Sequence, residues 1–213
     1  MKITSPVFYA TAIVFSCICN CSCGNNSKED GKPKPDSSKV AERKKVNPKP
    51  ENRPPIVNIV DTLVAKTIII YVKDSAATFE RISLKLGNIY GVTLPQYIKK
   101  NNLKTTGAPM AWYKKQKAPY FFEAGIPVNK KGAKPVAGVQ VREIAAGKAV
   151  IAHFFGPFEL LPQGYDVVKE WMKENKKIAA GAPYEIYITD PIDKNGKPVD
   201  PYKIQTDIIF PVR

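Results

Sequence analysis

The sequence predicts an α+β fold built as a duplicated strand-helix-strand-strand repeat, and three observations predict it. From about Val60 onward, short β-branched runs alternate with stretches of helical apolar spacing. The same order of elements then occurs twice. Residues also return with the order: Gly107-Ala108-Pro109 reappears 74 positions later as Gly181-Ala182-Pro183. At that offset Tyr97 meets Trp171, Ile98 meets Met172, Lys99 meets Lys173 and Asn101 meets Asn175.

In the first unit, Thr67-Ile68-Ile69-Ile70-Tyr71-Val72 is a β-branched strand. Phe79, Ile82, Leu86, Ile89, Tyr90, Leu94 and Ile98 then recur at helical spacing through residues 79–101. Gly91 and Pro95 interrupt that run, so a kink or two helices end to end is expected there. Met110-Ala111-Trp112-Tyr113 and Tyr120-Phe121-Phe122-Glu123-Ala124 follow as two strands around a Lys-rich turn.

The second unit opens with Val139-Gln140-Val141-Arg142-Glu143-Ile144, an alternating strand that resumes in Ala149-Val150-Ile151-Ala152-His153-Phe154 and stops at Gly156-Pro157. A helix is expected over residues 161–177, with Tyr165, Val168, Trp171 and Met172 as its apolar face. Tyr184-Glu185-Ile186-Tyr187-Ile188 and Ile204-Gln205-Thr206-Asp207-Ile208-Ile209 close the chain as strands.

Composition bounds the rest. A chain of 213 residues, 44% of them apolar, can bury one good core or two small ones. The net charge of +14 is spread out: ten basic residues face five acidic ones before Asp61, and 23 face 14 from there on. That balance suits anionic membranes or polyanions. Nucleic acid is not expected as a partner, because there is no helix-turn-helix signature, no zinc spacing and no basic helix interleaved with aromatics.

The N-terminal region reads as addressing rather than fold. Lys2 precedes an apolar run over residues 7–15, too short to span a bilayer and of the length of an export signal. Val14-Phe15-Ser16-Cys17 resembles a bacterial lipobox, which makes Cys17 the expected lipidation site and Cys23 its alternative. Two acyl chains on that cysteine would anchor the chain stably in a membrane of the bacterial envelope. Residues 24–58, rich in Lys and Pro and poor in apolar side chains, form the expected tether. The expected organisation is therefore a signal and lipobox region at 1–23, the tether at 24–58 and a folded domain at 59–213, with repeats at 59–134 and 135–213. All four cysteines lie in the first of these regions, so no disulfide or thiol chemistry is available to the domain.

The folded part resembles the GyrI-like family, the effector-binding domain also found fused to AraC- and MerR-type regulators. The resemblance is carried by Val141-Arg142-Glu143-Ile144 leading to Ala146-Gly147-Lys148, by Gly156-Pro157-Phe158, and by Tyr165 with Trp171. It continues through Gly181-Ala182-Pro183-Tyr184-Glu185-Ile186-Tyr187, Asp190-Pro191 and Ile209-Phe210-Pro211-Val212. It implies a concave groove between the repeats for a small amphipathic or cationic molecule, anchored by a strand carboxylate that falls on Glu185. The residue 74 positions earlier is Ala111, so only one anchor carries over. Stand-alone members that resemble hydrolases of strained electrophiles supply the rival reading, with Glu185 as a general base and Tyr187 as proton donor. A basic module contacting envelope components is the third reading.

Strand alternation puts Glu185 and Tyr187 on one face and Tyr184, Ile186 and Ile188 on the other. With the second set packed on the helices, the first set would face the groove. Trp171, Tyr113, Trp112 and Tyr120 are the further candidate ligand contacts, since aromatic faces attract cations. His153, the single histidine, is expected to be structural. Asp190, Asp193, Asn195 and Asp200 lack the spacing of a calcium loop and read as a surface hairpin. No catalytic residue, metal or cofactor is assigned, and a monomer is expected.

Overall fold

The computed structural model describes residues 53–115 and 117–213. Cys17, Cys23 and most of the tether lie outside them. Eight strands, β1 (Ile56–Val64), β2 (Thr67–Ala76), β3 (Met110–Tyr113), β4 (Tyr120–Val128), β5 (Val139–Ile144), β6 (Gly147–Phe155), β7 (Tyr184–Tyr187) and β8 (Gln205–Pro211), form one antiparallel sheet in the order β1-β6-β8-β7-β3-β4-β2-β5. The central six strands are two copies of one unit. β2, its helices, β3 and β4 make the first, and β6, its helix, β7 and β8 make the second.

The expected strand at 139–154 is in fact two strands with different partners. β5 pairs with β2 of the first repeat, whereas β6 pairs with β8 of the second. β1, which the sequence reading left partly in the tether, does the reciprocal and pairs with β6 over nine residues. The repeats thus exchange their leading strands. Only Ala65 and Lys66 separate β1 from β2, so the ends of those strands lie at most about 11 Å apart. They nevertheless sit near opposite ends of the strand order, so the sheet must curl.

The long helical run of the first repeat breaks where Gly91 and Pro95 predict. Helix α1 (Phe79–Asn88) starts on Thr78, whose hydroxyl accepts from the Arg81 amide at 3.4 Å, and helix α2 (Leu94–Lys100) follows. Between them residues Ile89–Thr93 form a π-turn, closed by the Leu94 amide donating to the Ile89 carbonyl five residues back. Pro95 has no amide to offer and crowds the carbonyl of Gly91, so the wider turn accommodates it. The second repeat carries an unbroken helix, α3 (Leu161–Glu174).

Each repeat buries its helices against one face of the sheet. Ile70, Ile82, Ile89, Leu94, Tyr97 and Phe122 build the first core, and Val150, Phe154, Leu161, Val168 and Ile208 the second. At about 1.5–3 kcal/mol per fully buried large apolar side chain, these two layers dominate stability. Gly164 lets α3 approach closely, because a Cβ there would lie 2.8 Å from Phe154 and 2.9 Å from Ile208. A third cluster, with Ile69, Tyr71, Met110, Tyr184 and Ile209, covers the opposite face. No described helix is long and apolar enough to cross a membrane.

Candidate functional site

The two repeats meet where β3 pairs with β7, and the register there is self-symmetric. Ala111 lies opposite Glu185, its own counterpart at the 74-residue offset, and Met110 lies opposite Ile186. The pseudo-twofold axis therefore passes between Ala111 and Glu185. A symmetric pair would force two carboxylates together at this point. One glutamate facing one alanine avoids that repulsion and leaves the acid room.

Glu185 is 3% exposed yet fully satisfied. Tyr165, on α3, donates to its Oε1 at 3.0 Å, and Tyr187, two residues along the strand, donates to Oε2 at 2.9 Å. Tyr113 and Tyr187, counterparts in the repeat, join hydroxyls at 2.9 Å. With the Tyr187 proton committed to Glu185, Tyr113 is the donor in that bond, giving a relay from Tyr113 through Tyr187 to the carboxylate. Tyr90, in the π-turn, packs edge-on against Tyr187 and donates to the Met110 carbonyl at 2.8 Å. Phe158 also packs edge-on with the Tyr187 ring.

Burial governs the electrostatics. It pushes the Glu185 carboxyl up to about 7, against the pull of the Tyr187 and Tyr165 hydrogen bonds. It also raises the hydroxyls of Tyr90, Tyr113 and Tyr187, with the neighbouring carboxylate adding to each. Around neutral pH the site thus holds an acid near its midpoint, in a ring-lined space with no cation of its own contacting Glu185 among the described residues.

Two expectations need correction. Glu185 and Tyr187 face the helices, while Tyr184 and Ile186 join the opposite cluster, so the assumed direction of the strand was reversed. No concave groove is seen at the axis among the described residues, where Tyr90, Tyr113, Tyr187 and Phe158 pack beside the buried acid. An open apolar hollow of about 250 Å³ lies on the other face instead, lined by Val64, Met110, Pro127, Ile144, Tyr184 and Ile186.

Of the six sequence-derived ligand contacts, the structure brings together Glu185, Tyr187 and Tyr113. Trp112 points to the opposite face, stacked on Tyr184 at 5.0 Å, where it holds the guanidinium of Arg142 at 4.2 Å. Its cation is the protein's own, and Arg142 also pairs with buried Glu123. Tyr120 packs at the edge of the first core and Trp171 at the edge of the second. His153 Nδ1 contacts Asp207 Oδ1 at 2.8 Å, and Gln205 donates to the same oxygen. Asp193 accepts from the amides of Asn195 and Lys197 within a turn. No metal-type cluster of His, Cys, Asp and Glu occurs among the described residues.

Sequence reading placed Tyr165 and Tyr90 on apolar helix faces and missed that their hydroxyls serve the site. It also passed over Glu123 and Asp207, although each carries the signal used for Glu185, a carboxylate inside an apolar strand.

The structure is a paired-repeat α+β domain with one buried carboxylate on its duplication axis. Residues 92–213 match the model of the GyrI-like small molecule binding domain, and the chain belongs to that family. Among solved structures it is similar to the C-terminal domain of EcmrR, at 21% identity and a TM-score of 0.61, covering 74% of this chain and 98% of that one. It is similar too to EcmrR in a DNA complex, at 21% identity and a TM-score of 0.60, with 74% of this chain aligned. The chain spans about 57% of the length of that EcmrR molecule. A hydrolase from Listeria innocua shares the fold at 10% identity and a TM-score of 0.51, over 73% of this chain and 91% of that one. No curated protein matches the chain.

Proposed function

We propose that this GyrI-like domain binds a small lipophilic cation against Glu185 and that it does so as an exported, lipid-anchored protein of the bacterial envelope. The observation carrying the ligand class is the single carboxylate on the axis, buried among aromatic rings and held near its ionisation midpoint. Ionised, it attracts a cation strongly in that low-dielectric surround. The rings supply apolar contact and cation–π attraction. Because the space is filled, entry requires the ring cover to open. Tyr90 is the part that moves in this reading, since it hangs from a π-turn between two short helices.

The anchor rests on the residues of the N-terminal region alone: Cys17 in its lipobox-like context, Cys23 as alternative, and the Lys/Pro-rich stretch after them. Metabolic labelling with a radioactive fatty acid tests it, and label that persists in both Cys17→Ala and Cys23→Ala removes those assignments.

The ligand reading is tested by calorimetric titration with tetraphenylphosphonium. Affinity is expected to rise about tenfold from pH 6 to pH 8, as the carboxyl with its midpoint at about 7 ionises. Glu185→Gln should bind weakly at both pH values. Tight, pH-independent binding by that variant would move the ligand to the open apolar hollow on the other face. Hydrolysis is the second reading. The Tyr187–Glu185 contact favours it, since a raised carboxyl beside a hydroxyl can shuttle a proton. Turnover of an epoxide that disappears in Glu185→Gln would select it.

A further inference from the structure

A second hollow, of about 190 Å³, opens between the end of α2 and the loop that follows β4. Its lining is Lys100, Asn101, Asn102, Lys130, Lys131 and Lys134, with Ala133, and includes no carboxylate. Two of the four ammonium groups are engaged: Lys131 pairs with Glu143 at 2.8 Å, and Lys100 donates to the Pro135 carbonyl at 2.9 Å. Lys130 and Lys134 have no acidic partner among the described residues.

The walls are built rather than incidental. Asn101 reads the backbone of the loop as a peptide would: its amide donates to the Lys134 carbonyl at 2.9 Å, and its oxygen accepts from the Lys134 amide at 2.6 Å. Tyr97 donates to the Gly132 carbonyl at 3.1 Å. Gly132 must stay bare, because a Cβ there would lie 2.6 Å from the Tyr97 hydroxyl and 2.7 Å from Asn101. The carbonyls at the end of α2 are already satisfied, by the amides of Asn101, Asn102 and Leu103, with Asn102 turned to φ 49°. The negative end of the helix is therefore largely spent.

The second repeat keeps the helix end but not its charge. The side chain of Asn175, the counterpart of Asn101, donates to the Trp171 carbonyl at 2.8 Å, and Lys176 repeats the left-handed turn at φ 54°. Lys100, however, is replaced by Glu174, which reverses the charge at that helix end.

We propose that this hollow binds a phosphate-type anion, either free or carried on a lipid headgroup. Lysine ammonium groups suit the spherical charge of phosphate oxygens, and two unpaired ones facing a locked wall leave a site short of negative charge. The site is independent of Glu185.

The test is calorimetric titration of the full chain with inorganic pyrophosphate at low ionic strength. Lys130→Ala/Lys134→Ala should weaken binding about tenfold or more, and Lys194→Ala/Lys197→Ala, an equal charge change on another loop, by less than about threefold. Gly132→Ala, which keeps every charge but crowds the wall, should also lose about tenfold. Thermal melts identify any variant that fails to fold. Equal weakening in both lysine pairs, or wild-type affinity in a folded Gly132→Ala, overturns the proposal, as does absence of binding. Flotation with phosphatidylglycerol against phosphatidylcholine vesicles separates the sources. Pyrophosphate-competed binding to the first alone assigns a lipid headgroup, and pyrophosphate binding without vesicle capture assigns a free anion.

Discussion

The two repeats share one scaffold and divide the chemistry between them. The second supplies the acid, Glu185, and its donor Tyr165 from an unbroken helix. The first supplies Ala111, the broken helix whose π-turn presents Tyr90, and the basic loop 129–136. The residue 74 positions before Tyr165 is Gly91, so the first repeat has no matching donor. Only the Tyr113–Tyr187 pair is contributed equally. A duplicated frame brings equivalent positions face to face on its axis, and a single carboxylate stands there because the copies differ.

The comparison breaks most severely with Ala111→Glu, which places a second carboxylate opposite the first at a fully buried position. Two buried acids cannot both ionise, so a loss of about 3–5 kcal/mol is expected in urea unfolding at pH 8. The loss should be smaller at pH 5, where both can stay protonated. The swap Ala111→Glu/Glu185→Ala should recover most of that stability but bind cations more weakly than the native arrangement, because the moved acid meets Tyr113 without a Tyr165 counterpart.

Next in size is the pH dependence that Glu185 imposes. Its carboxyl sits at about 7 in the fold, above the ordinary carboxylate value of 4.5, so the folded state holds the proton more tightly than the unfolded one. Stability is fully present below pH 4.5 and is lost as pH rises to about 7, by about 3 kcal/mol in all. Unfolding free energies of the wild type and Glu185→Gln should diverge over that window and run parallel above it. Parallel curves throughout would show that the acid is not desolvated.

Smaller effects sharpen the relay. Tyr187→Phe removes a charge-assisted hydrogen bond and should cost about 1.5–3 kcal/mol at pH 8, while shifting the pH dependence of cation binding upward. Tyr113→Phe removes the outer bond of the relay and should cost about 1 kcal/mol. Loss of stability in Tyr113→Phe as large as in Tyr187→Phe would contradict the proton order drawn from the geometry.

Much of this was legible in the residues. Apolar period located the strands and helices, Gly91 and Pro95 marked the break, and the 74-residue offset exposed the duplication. Other features were not. β1 is half exposed and follows two prolines, so its alternation was too weak to separate it from the tether. Which strand β5 pairs with depends on residues far away in sequence. Trp112 and Arg142 are 30 positions apart, and nothing local says that the indole takes that guanidinium rather than a ligand's cation.

The sequence by itself determined the secondary elements, their repetition and the presence of one acid where symmetry would put two. Those follow from local period and residue identity. Tertiary structure alone decided that leading strands exchange, that Glu185 turns toward the helices, and that rings from both repeats fill the space beside it. Each of these is settled by packing between segments distant along the chain, where burial and hydrogen-bond satisfaction are shared and no single stretch of residues carries the information.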